Sequence, residues 1–222
     1  MVTLIPFEWL ANPDSERLYT AQDIDDNPGR TPTNGMDAYW TSKTLARMAV
    51  SKFIQAQNPH FETIQLFPGA IGGTDDRATS ITDLFNSTPL FSLRMSPVLG
   101  EKQPAAAAMI SCPIDVGNVA KAHVDAIKST VPGNANYILS SGSPEGIEWD
   151  SMIDIARKYW PERCGSKELS LCGTLPIIKW RVDALETERA FGWKFLVFEE
   201  STKAMIGQYL DLVDAEKKIN GK

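Results

Sequence analysis

Segments that read as strands alternate along this chain with segments that read as helices, and this constrains the fold more than any other feature. Phe61 to Phe67 is strand-like and stops at Pro68-Gly69, and Asn136 to Ser140 is a second strand candidate. Between them, Asp115 is placed to cap an amphipathic helix that stops at Pro132-Gly133. Val116, Val119, Ala120, His123, Ala126 and Ile127 share one of its faces. His123 on that face reads as a packed, hydrogen-bonded core residue, and His60 carries no signal. A strand–helix alternation of this kind gives an α/β fold.

Other punctuation fills in the rest. Val2 to Ile5 is a short apolar run that could be a buried strand, and 12–34 is rich in Pro, Asp, Asn, Gly and Thr, the composition of a long surface loop. A helix starting at Asp37 should end near Gln57, because Pro59 disfavours helical geometry at Asn58. The stretch 75–104 is mixed, with a short helix over Ile81 to Asn86. Asp150 is placed to cap a helix carrying Met152, Ile155, Ala156 and Tyr159. Asp183 and Glu186 have the spacing of a capping box for a helix ending at Gly192. A last helix, from about Glu199 to Val213, turns Thr202, Met205, Ile206, Tyr209 and Leu210 inward.

Charge and cysteine usage exclude several classes. A net charge of −6 and a pI near 5.0 argue against nucleic-acid binding, and no Lys/Arg run suggests a patch that tracks phosphates. The first residues have no basic leader and meet Pro6 and Glu8 at once, so no signal peptide is expected. No apolar run is long enough for a membrane span. Three cysteines without a Cys-x-x-Cys pair point to reduced thiols in a cytoplasmic protein, with no metal site.

The candidate chemistry lies in Asp37-Ala38-Tyr39-Trp40-Thr41-Ser42-Lys43. Asp37 is a plausible N-cap, and apolar residues recur beyond it at Leu45, Ala49 and Phe53, with Ala46, Val50 and Ile54 alongside. On such a helix Tyr39 and Lys43 stand one turn apart on one face. An ammonium beside a phenol stabilises the phenolate, so the pair can pass a proton to or from a carbonyl oxygen. The same spacing also suits a surface helix with a packed tyrosine and a solvated lysine. The glycine cluster Gly69-Ala70-Ile71-Gly72-Gly73 follows a strand, but it matches neither a Gly-x-Gly-x-x-Gly turn nor a Gly-Lys-Ser/Thr loop.

Taken in order, several segments resemble an extended short-chain dehydrogenase/reductase of the NAD-dependent epimerase/dehydratase superfamily. The nearest branch is the dihydroflavonol-reductase-like and aldehyde-reductase-like one. Tyr39-Trp40-Thr41-Ser42-Lys43 resembles the family's Tyr-x-x-x-Lys, and Leu66-Phe67-Pro68-Gly69-Ala70-Ile71-Gly72 its segment beside the nicotinamide. Ile114 to His123 is similar to the family's Asp-Val-x-Asp-Val-Ala-x-Ala-His helix, with Asn118 at the second aspartate. Tyr137 to Ser141 resembles the strand that follows. Arg181-Val182-Asp183 and Ala190 to Lys194 resemble its C-terminal end. The Gly-x-x-Gly-x-x-Gly turn that binds the pyrophosphate is not in the sequence, and Thr3 is an unconvincing stand-in for the family's serine or threonine before the tyrosine.

The resemblance implies a truncated, Rossmann-like, doubly wound sheet (its second half) with a small C-terminal substrate lobe. Residues 1–222 would form one incomplete NAD(P)-binding domain, with 74–112 and 143–190 contributing the lobe. The implied activity is NAD(P)H-dependent reduction of a ketone or aldehyde to an alcohol. Tyr39 would be the proton donor and Lys43 its assistant, and a place in secondary metabolism is a further implication. Tyr39, Lys43, Pro68, Gly69 and Ile71 would contact the cofactor, NADP(H) in preference to NAD(H). The substrate would be a small-molecule carbonyl compound, bulky and largely apolar, and a second copy or a complementing chain would be the partner. The alternative is a catalytically inactive reductase that acts as a binding or regulatory subunit.

Overall fold

The computed structural model describes Leu4 and residues 7–10, 12–24, 31–142 and 144–220. The strand expected over Val2 to Ile5, and Thr3, lie outside the described residues, except that Leu4 is buried. In chain order the elements are β1 (Leu18–Tyr19), α1 (Gly35–Gln57), β2 (Ile64–Pro68), β3 (Ala70–Gly72), α2 (Ile81–Ser87) and α3 (Pro89–Leu99). They continue with β4 (Met109–Ile110), β5 (Pro113–Asp115), α4 (Val116–Asp125), β6 (Ala135–Leu139) and α5 (Met152–Tyr159). The chain closes with β7 (Ile177–Ile178), β8 (Arg181–Val182), α6 (Leu185–Phe191) and α7 (Phe198–Asn220).

Every strand pairing among the described residues is parallel: β1 with β8, β2 with β6, β3 with β5 and β4 with β7. β5 and β6 pair with β3 and β2 respectively, and α4 carries the chain from one to the other. The longest register runs from Ile64 opposite Ala135 to Pro68 opposite Leu139. At Gly69 the chain changes partner. The Gly69 N–H still donates to the Leu139 carbonyl at 3.0 Å, while the next N–H, of Ala70, donates to Cys112 at 2.7 Å.

Two apolar cores result. The first joins Tyr19, Trp40, Phe67, Ile114, Ile138, Leu139, Trp180 and Val182 around β2, β5 and β6. The second joins Leu84, Met95, Trp149, Met152, Leu175, Ile206 and Leu210, with α7 as its spine.

The structure corrects several expectations. Asn34, not Asp37, caps α1: its side chain accepts the Asp37 N–H, and the buried Asp37 carboxylate accepts from the Thr33 N–H at 2.8 Å and the Thr33 hydroxyl at 3.0 Å. The stretch 12–34 is not all surface loop, since Tyr19 is buried in β1 and Ala21 is buried beyond it. α4 keeps its Asp115 cap but ends at Asp125, well before Pro132. Its buried residues are Ala122 and Asp125, so His123 is exposed and Ile127 is 86% exposed. His123 does bond its own helix, Nδ1 to the Val119 carbonyl at 2.8 Å.

Asp150 accepts the Leu175 N–H at 2.8 Å instead of capping α5, a partner 25 residues away that no local pattern reveals. Asp183 accepts the Leu185 N–H at 2.9 Å, but Glu186 reaches Gln22, so no capping box forms. α3, with Pro97 inside it, emerges from the stretch read as mixed. α7 keeps the expected inward residues and runs on to Asn220.

The far end of α7 is tied down by an ion pair, Lys217 Nζ to Glu168 Oε1 at 2.6 Å. Lys217 and the Ser166 hydroxyl hold the Glu168 carboxyl down to about 2. A depressed folded-state value contributes stability that is present above the unfolded value, about 4.3, and lost as pH falls toward 2. Glu168→Gln should therefore flatten the loss of melting temperature between pH 4 and 2. At pH 7 it should cost below about 1 kcal/mol, because Lys217 is mostly exposed. Thermal melts across pH check this; unchanged slopes would exclude the pair as an acid-sensitive tie.

Candidate active site

The Asn34 cap fixes the first turn of α1 and so the direction in which its next side chains point. Trp40 turns inward against Phe7 and Trp180, with ring centroids 5.8 and 6.4 Å apart. Asp37, Trp40, Thr44 and Arg47 form the buried stripe. The apolar residues that recur along the helix are not that stripe: Leu45, Val50 and Phe53 are each at least 40% exposed. Periodicity located a stripe on the helix but could not say which side meets the sheet, and the bulk of Trp40 against Trp180 decides it.

With that stripe inward, Tyr39 and Lys43 flank it on the side of a cleft. Tyr39 is half exposed, and Lys43 Nζ lies 5.4 Å from its ring centroid, within cation–π range. The Ser42 hydroxyl donates to the Tyr39 carbonyl at 2.7 Å, turning that side chain back onto the helix. The opposite wall is β2 and β3. The cleft has a volume of about 620 Å³ and is lined by Tyr39, Lys43, Pro68, Gly69 and Ile71 together. All five residues singled out in the sequence thus share one cavity, of a size suited to a small molecule. Trp40, Arg47 and Trp180 line it as well. Sequence reading missed Arg47 and Trp180 here, since only the fold brings β8's flank to α1.

Gly69 has a packing reason of its own. A Cβ there would stand 2.0 Å from the Cys112 carbonyl oxygen, a backbone atom that cannot swing away. Gly69→Ala should destabilise the chain by about 1–3 kcal/mol by forcing β3 away from β5. Urea denaturation measures it, and a neutral result would show that this junction yields.

The nicotinamide group implied by the resemblance can be tested against these side chains. Among the described residues the lining holds no carboxylate, two cationic side chains, one phenol and a wall of Pro68, Phe67 and Ile71. That set fits a flat, uncharged ring with hydroxyls beside it. A Gly-x-x-Gly-x-x-Gly turn for the pyrophosphate is not in the sequence. Among the described residues no group of three or more His, Cys, Asp or Glu side chains could hold a metal ion, and no helix is long and apolar enough to cross a membrane.

Comparison with known proteins bears on the fold. No protein-family model matches the chain. Ketoreductase CTB6 of Cercospora nicotianae is 30% identical over 186 residues, which cover 83% of this chain and 51% of that protein. The chain spans about half the length of these curated relatives. A reductase engineered to attenuate substrate inhibition superposes with a TM-score of 0.70 at 23% identity, over 94% of this chain and 62% of its own. Yeast methylglyoxal/isovaleraldehyde reductase Gre2, solved with NADPH, gives 0.67 at 19% identity, over 90% and 59%. The chain is therefore similar to these reductases and has the fold of the C-terminal portion of their Rossmann-type structure.

Proposed function

We propose that this chain supplies the carbonyl-reducing site of an NAD(P)H-dependent oxidoreductase acting on a ketone or aldehyde. The observation that carries the reading is the convergence of Tyr39 and Lys43 with Pro68, Gly69 and Ile71 on one cleft. A bound nicotinamide supplies hydride for the carbonyl carbon. Tyr39 delivers its phenolic proton to the carbonyl oxygen as charge develops there. Lys43, beside the ring, stabilises the phenolate that remains. Pro68 and Ile71 would form the apolar wall of the nicotinamide site on β2 and β3. Gly69 lets backbone replace a side chain at that wall.

The reading favours NADP(H) over NAD(H), in keeping with the NADPH complex of Gre2. It also assigns 74–112 and 143–190 to a substrate lobe, supported by the second core that these segments share with α7.

The test is a titration of the folded 222-residue chain with NADPH, and with NADH in parallel, followed by cofactor fluorescence. Saturable micromolar binding, tighter for NADPH, is expected. A cooperatively folded chain that binds neither cofactor would overturn the reading for this chain alone.

A further inference from the structure

A second cleft, of about 550 Å³, opens on the other side of Ile71, which lines both. Its walls include Gly72 and Gly73, Asp75 to Arg77, Thr88, Phe91 and Val116. Set into the wall is Arg94, the one charged residue of helix α3 (PLFSLRMSPVL). Arg94 is 3% exposed, and among the described residues no side chain forms an ion pair or hydrogen bond with it; its Nε and Nη2 are buried without a partner. A guanidinium cannot lose its charge at neutral pH, and burial without a counter-charge costs several kcal/mol.

The nearby carboxylates do not supply that counter-charge. Asp75 is held by Arg77 at 2.9 Å, and Asp115 accepts from the Gly117 N–H at 2.8 Å and the Ser201 hydroxyl at 2.6 Å. Asp76 is exposed at the rim. Behind Arg94, between Asp115, Ser201 and Thr202, lies a space of about 20 Å³, room for one water and no ligand. Among the described residues, the ligand-sized space beside Arg94 lies on the cleft side. Gly72 lines both spaces, and a Cβ on it would stand 3.3 Å from Arg94 Nη1. Glycine at that position leaves the approach to the guanidinium open.

The geometry points to Arg94 as the anchor for a carboxylate on the substrate, the rest of which reaches past Ile71 into the Tyr39 cleft. This rests on the carbonyl-reduction reading and adds the substrate class: a keto or aldehyde acid. A single negative charge matches the one guanidinium left without an ion pair, whereas the exposed Asp76 on the same cleft disfavours a dianion such as a phosphate. From Gly69 to Gly72 is three residues of extended chain, so carbonyl and carboxylate recognition are separated by about 10 Å. That requires a spacer of several methylenes.

The test is calorimetric titration of the 222-residue chain, without cofactor, with benzoylpentanoate and with its methyl ester. The acid should bind at least about tenfold tighter than the ester, the value of one charge-assisted contact. Arg94→Met should bring the two affinities together while folding at least as stably, because it removes an unpaired buried charge. Tyr39→Phe should leave the preference intact. Equal binding of acid and ester, binding of neither, or a preference that survives in Arg94→Met would each overturn the assignment. The wild-type comparison needs no variant to fold. The two readings also fail separately: acid preference without nicotinamide binding would sink only the reductase reading, and cofactor binding without acid preference only the Arg94 assignment.

Discussion

Tyr39→Phe is expected to lower carbonyl-dependent NADPH oxidation by at least about 100-fold while leaving the melting temperature unchanged. A positioned general acid is worth about 100- to 10,000-fold, and the substitution removes that acid, one hydroxyl, and nothing else. The fold should not register the loss, because Tyr39 is half exposed on the cleft side of α1 while the helix is held by Trp40, Thr44 and Arg47. A surface change of this kind stays within about 0.5 kcal/mol. Lys43→Met should follow it in direction with a smaller loss, since it removes the charge that stabilises the phenolate but leaves the proton donor. The measurement is the initial rate of absorbance loss at saturating NADPH, paired with a thermal melt of each variant. Turnover retained by a folded Tyr39→Phe protein would remove Tyr39 as the acid and return it to the role of a surface aromatic.

Trp180→Ala should be the most costly of these substitutions for the fold, by about 3–5 kcal/mol. The indole is 1% exposed and meets Trp40 edge to face, so it is the piece of the first core against which α1 docks. Its backbone is held independently. The Trp180 N–H donates to the Ser111 hydroxyl oxygen at 3.0 Å, and its carbonyl accepts from the Cys112 thiol at 3.3 Å. Alanine keeps those bonds and leaves a cavity. Against a total stability of about 5–15 kcal/mol, that is a large share, and the melting temperature should fall by on the order of 10 °C. Leu45→Ala, on the exposed side of the same helix, is the control and should be nearly neutral. If Trp180→Ala costs less than about 1 kcal/mol, α1 is not docked through this pair.

Cys112 gives a related view of the same core. Burial pushes its thiol up to about 12, so the group beside Trp180 is a packing residue and not a nucleophile.

What was legible in the sequence is what short-range physics controls. Asp115 caps α4 because its carboxylate needs only the N–H two residues on, and Gly192 ends α6 with φ at 74° because no side chain opposes that turn. The inward stripe of α7 follows from its own 3.6-residue period, and the Tyr39–Lys43 adjacency from one helical turn.

Tertiary structure decided everything that depends on a partner far along the chain. It turned Leu45, Val50 and Phe53 outward because Trp40 found Trp180, and it took Asp150 from a cap to Leu175. It also exposed His123, since α4 meets the sheet through Ala122. Local pattern fixes which residues share a face. Which face is buried, and which side chains such as Arg94 are buried beside a cleft with no partner among the described residues, depends on contacts made only when distant strands pair.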